Sequence, residues 1–262
     1  MKITLYQVDA FTNKTFSGNP AAVCILNEWL EESLMQKIAE ENNLSETAFA
    51  VKNNDVYEIR WFTPSVEIDL CGHATLATAH VLFNYFDIED TSIKFHSHRS
   101  GNLSVSKEDD GYLTLDFPIN LAEITQENLD LNKALGGTPA VTLKSSFDYL
   151  LIFKNQAEIE KLQPDFSALK KIKTRGIMVS AKGDNIDFVS RFFAPASGIN
   201  EDPVTGSAHC TLTPYWSKEL NKVTLTAQQI SARGGDLKCT LVNDRVKISG
   251  KSVTYLIGEI RI

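Results

Sequence analysis

Apolar positions along the chain recur at two spacings. Tyr57, Ile59 and Trp61 alternate with Glu58 and Arg60 up to Pro64, the period of a strand with one buried face. Ala21-Ala22-Val23-Cys24-Ile25-Leu26 is a short unbroken apolar run, which reads as a buried strand. Between the two, Leu34, Met35, Ile38 and Ala39 place one apolar stripe on a helix that starts near Glu31 and stops near Asn42-Asn43, with acids in its first turn where the helix dipole favours them. Residues 74–85 are different, because they contain no Lys, Arg, Asp or Glu. A helix without a charged face must be surrounded by protein. Many short strands and one such helix predict a sheet curled around a central helix, closed by strand-rich segments at 92–117 and 224–262.

The pattern occurs twice. Arg60-Trp61-Phe62-Thr63-Pro64 recurs as Arg191-Phe192-Phe193-Ala194-Pro195, and the offset, 191 − 60 = 131, is half of the 262 residues. Each copy leads through an acidic loop to a glycine and an Ala/Thr/Leu-rich stretch, Cys71-Gly72-His73-Ala74-Thr75-Leu76-Ala77 in one and Thr205-Gly206-Ser207-Ala208-His209-Cys210-Thr211-Leu212 in the other. A duplicated chain is expected, with halves at 1–125 and 126–262 joined between residues 120 and 139, where Asn, Gly and Pro cluster. Pro214 falls inside the second presumed buried helix and predicts a kink or an early end there.

Composition narrows the class of molecule. Twenty-six Lys and Arg against 33 Asp and Glu give a net charge of −7, which argues against a nucleic-acid partner. A hydrophobic share of 43% and a charged share of 23% match a globular chain with a sizeable core. Cys24, Cys71, Cys210 and Cys239 form no Cys-x-x-Cys pair, so neither a zinc ribbon nor a disulfide framework is indicated. No signal-peptide core opens the chain and no stretch of about 18 residues lacks charge; a cytoplasmic protein with no membrane partner is expected.

Gly72 and Gly206 both stand where a loop enters a helix, and the first turn of a helix leaves unpaired N–H groups with partial positive charge. Such ends accept anions. His73 and Ser207 add a side-chain donor each, and Pro203 pushes Asp202 toward an extended conformation that can aim its carboxylate at the same place. Ser207 as a helix cap and Gly72 as a plain turn residue are the alternatives. Spacing alone does not separate a catalytic Glu46 from a solvated one. His73, His209, Cys71 and Cys210 show no clustered metal-ligand spacing, so no metal is expected. His80 reads as a core histidine with one bonded nitrogen; His96 and His98 beside Arg99 read as solvated.

Several of these segments resemble one family. Val8-Asp9-Ala10-Phe11-Thr12, Phe16-Ser17-Gly18-Asn19-Pro20-Ala21-Ala22-Val23, Leu44-Ser45-Glu46-Thr47-Ala48-Phe49, Cys71-Gly72-His73-Ala74-Thr75-Leu76-Ala77 and Glu201-Asp202-Pro203-Val204-Thr205-Gly206-Ser207-Ala208-His209 are similar, in order, to the phenazine biosynthesis PhzF-like family, related to diaminopimelate epimerases and proline racemases. The resemblance implies the α/β epimerase fold, two pseudo-symmetric halves each with a mainly antiparallel sheet around a central helix, and one site in the cleft between them. It implies a cofactor-independent isomerase acting on a small anionic metabolite, and a homodimer. Glu46 then matches the general acid/base, His73, Asp202 and Ser207 its site partners, and Ser45, Gly72 and Gly206 the substrate-binding positions. A lone carboxylate can shuttle one proton if burial raises its pKa toward neutrality. The two-thiol racemases need a second cysteine where this chain has Thr205, too weak an acid and base for the task. An amino-acid epimerase using Cys71, or a binding protein that catalyses nothing, are the competing readings.

Overall fold

The computed structural model describes residues 1–262, which divide into two compact units, residues 1–116 with 249–262 and residues 117–248. The first unit opens with β1 (Lys2–Ala10) and β2 (Asn19–Leu26), followed by α1 (Glu32–Asn42), β3 (Glu46–Asn53), β4 (Val56–Phe62) and the two-residue β5 (Glu67–Ile68). Then come α2 (Gly72–Tyr85), β6 (Ser92–Ser97), β7 (Gly101–Lys107) and β8 (Leu113–Pro118). Pairing joins β1 antiparallel to β2, β2 parallel to β3, β3 antiparallel to β4, β4 parallel to β6 and β6 antiparallel to β7.

The expected strand at 57–61, the buried strand at 21–26 and both helices are present. The first helix ends at Asn43, which takes a left-handed φ of 48° and donates its N–H to the Ala39 carbonyl, a common role for Asn at a helix end. Alternation along β3 sorts its side chains. Phe49 and Val51 join Met35, Ile38 and Ala39 of α1 in one apolar cluster, so Glu46, Ala48 and Ala50 face the other way, toward α2. The uncharged α2 packs against β1, β2, β3 and β7, strands from well-separated places in the sheet, and buries nine of its residues. The sheet curls around it as its composition requires.

The second unit repeats this order. It runs β9 (Glu123–Ile124), α3 (Leu129–Leu135), β10 (Val141–Lys144), β11 (Asp148–Ile152), α4 (Gln156–Glu160), α5 (Phe166–Leu169), β12 (Gly176–Lys182) and β13 (Phe188–Ala194). It continues with β14 (Ile199–Asp202), α6 (Gly206–Leu220), β15 (Thr224–Gln229), β16 (Gly235–Val242) and β17 (Arg245–Gly250). The sequence of antiparallel, parallel, antiparallel, parallel and antiparallel pairs seen from β1 to β7 recurs from β10 to β16. The repeated arginine performs the same task in each copy. Arg60 grips Glu67 through Nε at 2.7 Å and Nη2 at 2.8 Å and lies over the Phe62 ring at 5.2 Å; Arg191 grips Glu201 at 2.7 and 2.9 Å and lies over Phe193 at 4.9 Å. These forks tie β5 and β14 to their neighbouring strands just before each glycine helix.

Three expectations need revision. Pro214 neither ends nor shortens α6, which runs on to Leu220. The lost hydrogen bond would have been to the Cys210 carbonyl, four residues back, and that carbonyl instead accepts from the Asn120 N–H at 3.1 Å. His80 is half-buried rather than core, and both its nitrogens have partners, Nε2 with the Thr254 hydroxyl at 2.9 Å and Nδ1 with Asn84 at 3.3 Å. The last strand, β18 (Ser252–Arg261), pairs antiparallel with β1. Residues 249–262 therefore belong to the first unit, whereas the sequence pattern assigns them to the second half. No helix is long and apolar enough to cross a membrane, and all four cysteines are free and buried.

Candidate active site

The parallel register of β2 and β3 sets Ala21 beside Glu46. Asn19 and Glu46 therefore sit at the same end of neighbouring strands, where α2 begins with Gly72 and His73. All three side chains are buried, at 0% exposure for Asn19, 6% for Glu46 and 5% for His73. His73 Nε2 approaches Glu46 Oε2 to 3.0 Å. The contact is close but oblique: neither atom has a hydrogen bond aligned on it. On the other edge of the ring, Nδ1 lies 3.2 Å from Asn19 Nδ2 and 3.4 Å from Cys71 Sγ. Contacts on that edge fix the ring plane and turn Nε2 toward the carboxylate.

A buried carboxylate costs several kcal/mol unless a partner offsets it. Here the partner is ionisable. Burial works against the His73 imidazolium, but the neighbouring Cys71 and Glu46 outweigh it, and the His73 pKa is held well above the ordinary histidine range. The Cys71 thiol is pushed up, chiefly by burial and then by the Glu46 charge. The cluster thus stores a proton on the ring rather than ionising the sulfur.

This arrangement predicts a measurable pH dependence. With the folded-state pKa of His73 above its unfolded value of about 6.5, its protonation contributes stability fully below that value, lost as pH rises through the folded pKa. Urea midpoints of the wild type should fall on raising the pH from about 6.5 through that interval, and His73→Gln should flatten the slope. His80 and His209, each held down to about 4 by burial, act in the opposite sense and only at lower pH. An unchanged slope in His73→Gln would show that the ring carries no extra proton.

Of the expected site residues, Glu46 and His73 meet directly, and Gly72 supplies the first helical N–H groups beside them. Ser45 is half-buried in the turn that enters β3. Asp202, Gly206 and Ser207 belong to the second unit. There the buried Asp202 carboxylate accepts from the Thr205 hydroxyl, and Gln229 fixes the same turn, donating to the Asp202 carbonyl at 2.7 Å and accepting from the Thr205 N–H at 2.9 Å. Thr205 and Cys71 are the residues just before α6 and α2, both extended and neither capping its helix by its side chain. Ser207 does not cap α6 either, since the capping position falls to Thr205.

Sequence reasoning missed Asn19 and Gln229 as site-forming residues. A buried Asn between Gly18 and Pro20 was the available signal for the first; Gln229, at the end of an ordinary alternating strand, offered none. His209 donates Nδ1–H to the Thr205 carbonyl at 2.8 Å and lies tilted against the Phe188 ring at 5.9 Å, so it stays a neutral core residue.

Comparison with known proteins places this geometry in context. The model of the family described as phenazine biosynthesis-like protein, PhzC-PhzF, matches residues 8–258. A Pseudomonas aeruginosa protein named an uncharacterized isomerase is 51% identical over 262 residues, covering both chains in full. The crystal structure of a phenazine biosynthesis protein of the PhzF family from Enterococcus faecalis is 49% identical and superimposes with a TM-score of 0.97 over 100% of each chain. The structure of a predicted epimerase from Pseudomonas aeruginosa, 18% identical, shares the fold with a TM-score of 0.75 over 98% of this chain and 99% of that one.

Proposed function

This chain belongs to the PhzC-PhzF family of phenazine biosynthesis-like proteins, and from that membership we propose that it is a cofactor-independent isomerase, which moves a proton within a small, carboxylate-bearing, unsaturated metabolite. The observation that carries the reading is the buried Glu46 carboxylate set 3.0 Å from a histidine whose pKa is raised. Glu46 takes a proton from an acidic C–H of the substrate and returns it to a second atom of the same π-system. His73, whose pKa is held well above the ordinary histidine range, offers Nε2–H to charge that builds up during the transfer. One group serves as base and then as acid, so no second thiol is required. The burial that pushes up the Cys71 thiol leaves it a poor base and weighs against an epimerase built on it.

Backbone N–H groups at Gly72, with Ser45, are assigned to the substrate's carboxylate; the family resemblance gives Gly206 the part of a substrate-binding position and Asp202 and Ser207 that of partners of the acid/base. The test is proton exchange. Unsaturated carboxylic acids and amino acids are incubated with the protein in heavy water containing excess chelator and followed by NMR. Deuterium should enter one carbon position of an unsaturated acid at an undiminished rate with chelator present. Ligands that raise the melting temperature while none exchanges would replace the isomerase with a binding protein, and exchange confined to the α-carbon of amino acids would restore the epimerase.

A further inference from the structure

Beside the Glu46–His73 pair stands a third donor of different chemistry. Cys71 Sγ, one imidazole nitrogen of His73 and one carboxylate oxygen of Glu46 all lie within 4.8 Å of one another, and all three residues are buried. We propose that these residues form a capture site for a single thiophilic divalent cation of the zinc class, which silences the acid/base pair while bound. The silencing rests on the function proposed for Glu46; the binding does not.

Three observations support the site. The donor set is one thiolate, one imidazole and one carboxylate, each a known zinc ligand, and three protein ligands leave a fourth position open. Charge also matches. An ionised Cys71 and an ionised Glu46 carry two negative charges that a divalent cation cancels, leaving a neutral buried cluster around a neutral imidazole. Finally, Glu46 Oε2 is a buried polar atom with no aligned partner, which a cation would satisfy. Bond lengths of about 2.0–2.3 Å in a tetrahedral site imply donor separations of roughly 3.3–3.6 Å. An imidazole binds one ion through one nitrogen, and Cys71 Sγ meets His73 Nδ1 at 3.4 Å while Glu46 Oε2 meets Nε2 at 3.0 Å, so to share one ion one of these two side chains must swing to the other edge of the ring. Since the three donors already lie within 4.8 Å of one another, the open separations close by up to roughly 1.2–1.5 Å, a rotamer-scale adjustment. On binding, the Cys71 S–H bond is replaced by a metal–sulfur bond and the N–H at the ligating nitrogen of the His73 imidazolium by a metal–nitrogen bond, so two protons pass to solvent; nothing is oxidised or reduced. Sequence spacing concealed the site, since Cys71 and His73 supply two ligands two residues apart and the third comes from the edge of another element.

Cadmium, which shares this ligand preference and reports thiolate coordination through an ultraviolet charge-transfer band, is the probe. Titrated into the chelator-treated full-length protein, it should bind one ion per chain, with zinc displacing it. Cys71→Ser should abolish the band, and His73→Gln and Glu46→Gln should each weaken binding at least about tenfold. Circular dichroism checks that each variant is folded, and if Cys71→Ser is not, the other two still decide. A band that survives in Cys71→Ser, or one lost there while His73→Gln and Glu46→Gln bind as tightly as the wild type, would overturn the proposal, the latter showing a lone thiol. Added zinc should stop the deuterium exchange of the wild type at the stoichiometry that fills the site. Cadmium binding as expected with exchange that survives Glu46→Gln would leave the metal site standing and remove Glu46 from the reaction; no binding with exchange abolished in Glu46→Gln would do the reverse.

Discussion

Glu46→Gln should lower the rate of substrate deuterium exchange by roughly 10²–10⁴-fold, the range contributed by a positioned general acid/base, or about 3–5 kcal/mol of transition-state stabilisation. The upper part of that range is expected, because one group performs both the removal and the return of the proton. The amide keeps the volume of the side chain, so the buried end of β3 remains packed and the loss reports chemistry rather than unfolding. It also withdraws the carboxylate charge that favours the His73 imidazolium, so the ring should titrate lower in the variant, a second readout by NMR that needs no substrate. Glu46→Asp retains the charge but draws the carboxylate back by about an ångström, a misplacement that costs on the order of 10²-fold. An exchange rate in Glu46→Gln within tenfold of the wild type would assign the proton transfer to another group.

Local periodicity made most of the elements readable. The alternation around Ile59, the stripe on α1 and the absence of charge on α2 each reflect the environment of one element, and a single window of sequence carries that information. The duplication was readable for the same reason, since the Arg-aromatic-Phe strand and the glycine at each helix start are short local signals. Two features were not local. Pro214 looks like a helix breaker until the Asn120 N–H, far away in the chain, takes up the stranded Cys210 carbonyl. The pairing of residues 2–10 with 252–261 leaves no mark in either segment. The site divides similarly. Cys71, Gly72 and His73 are adjacent in sequence, and Glu46 stood out only through the family resemblance. Their meeting depends on the parallel register of β2 and β3, and so does the presence of Asn19 behind the ring.

The largest loss of stability from one added methyl group is expected at Gly18, in the turn that delivers Asn19 to His73. That turn is held from several sides. Phe11 takes a left-handed φ of 61° with its ring packed over Gly250, the Thr12 N–H donates to the Lys251 carbonyl at 3.0 Å, and the Phe16 N–H donates to the Asp9 carboxylate at 2.9 Å. Gly18 itself has φ +66°, and a Cβ there would lie 2.1 Å from the Ala10 carbonyl oxygen and 2.7 Å from Thr12 Cγ2. The left-handed conformation alone costs alanine about 1–2 kcal/mol. The backbone contact cannot be relieved by rotating a side chain, so the turn must shift, and Gly18→Ala should destabilise the first unit by about 3 kcal/mol or more, a melting-temperature fall of roughly 6–12 °C. Gly101→Ala separates the two contributions. Gly101 lies in the same unit with φ +73° and nothing within 4 Å of its missing Cβ, so it should show only the conformational cost of about 1–2 kcal/mol. Displacing Asn19 should in addition disturb the His73 titration in Gly18→Ala and leave it unaltered in Gly101→Ala. Equal losses of stability in the two variants would mean that the turn yields freely and does not hold Asn19 against the ring.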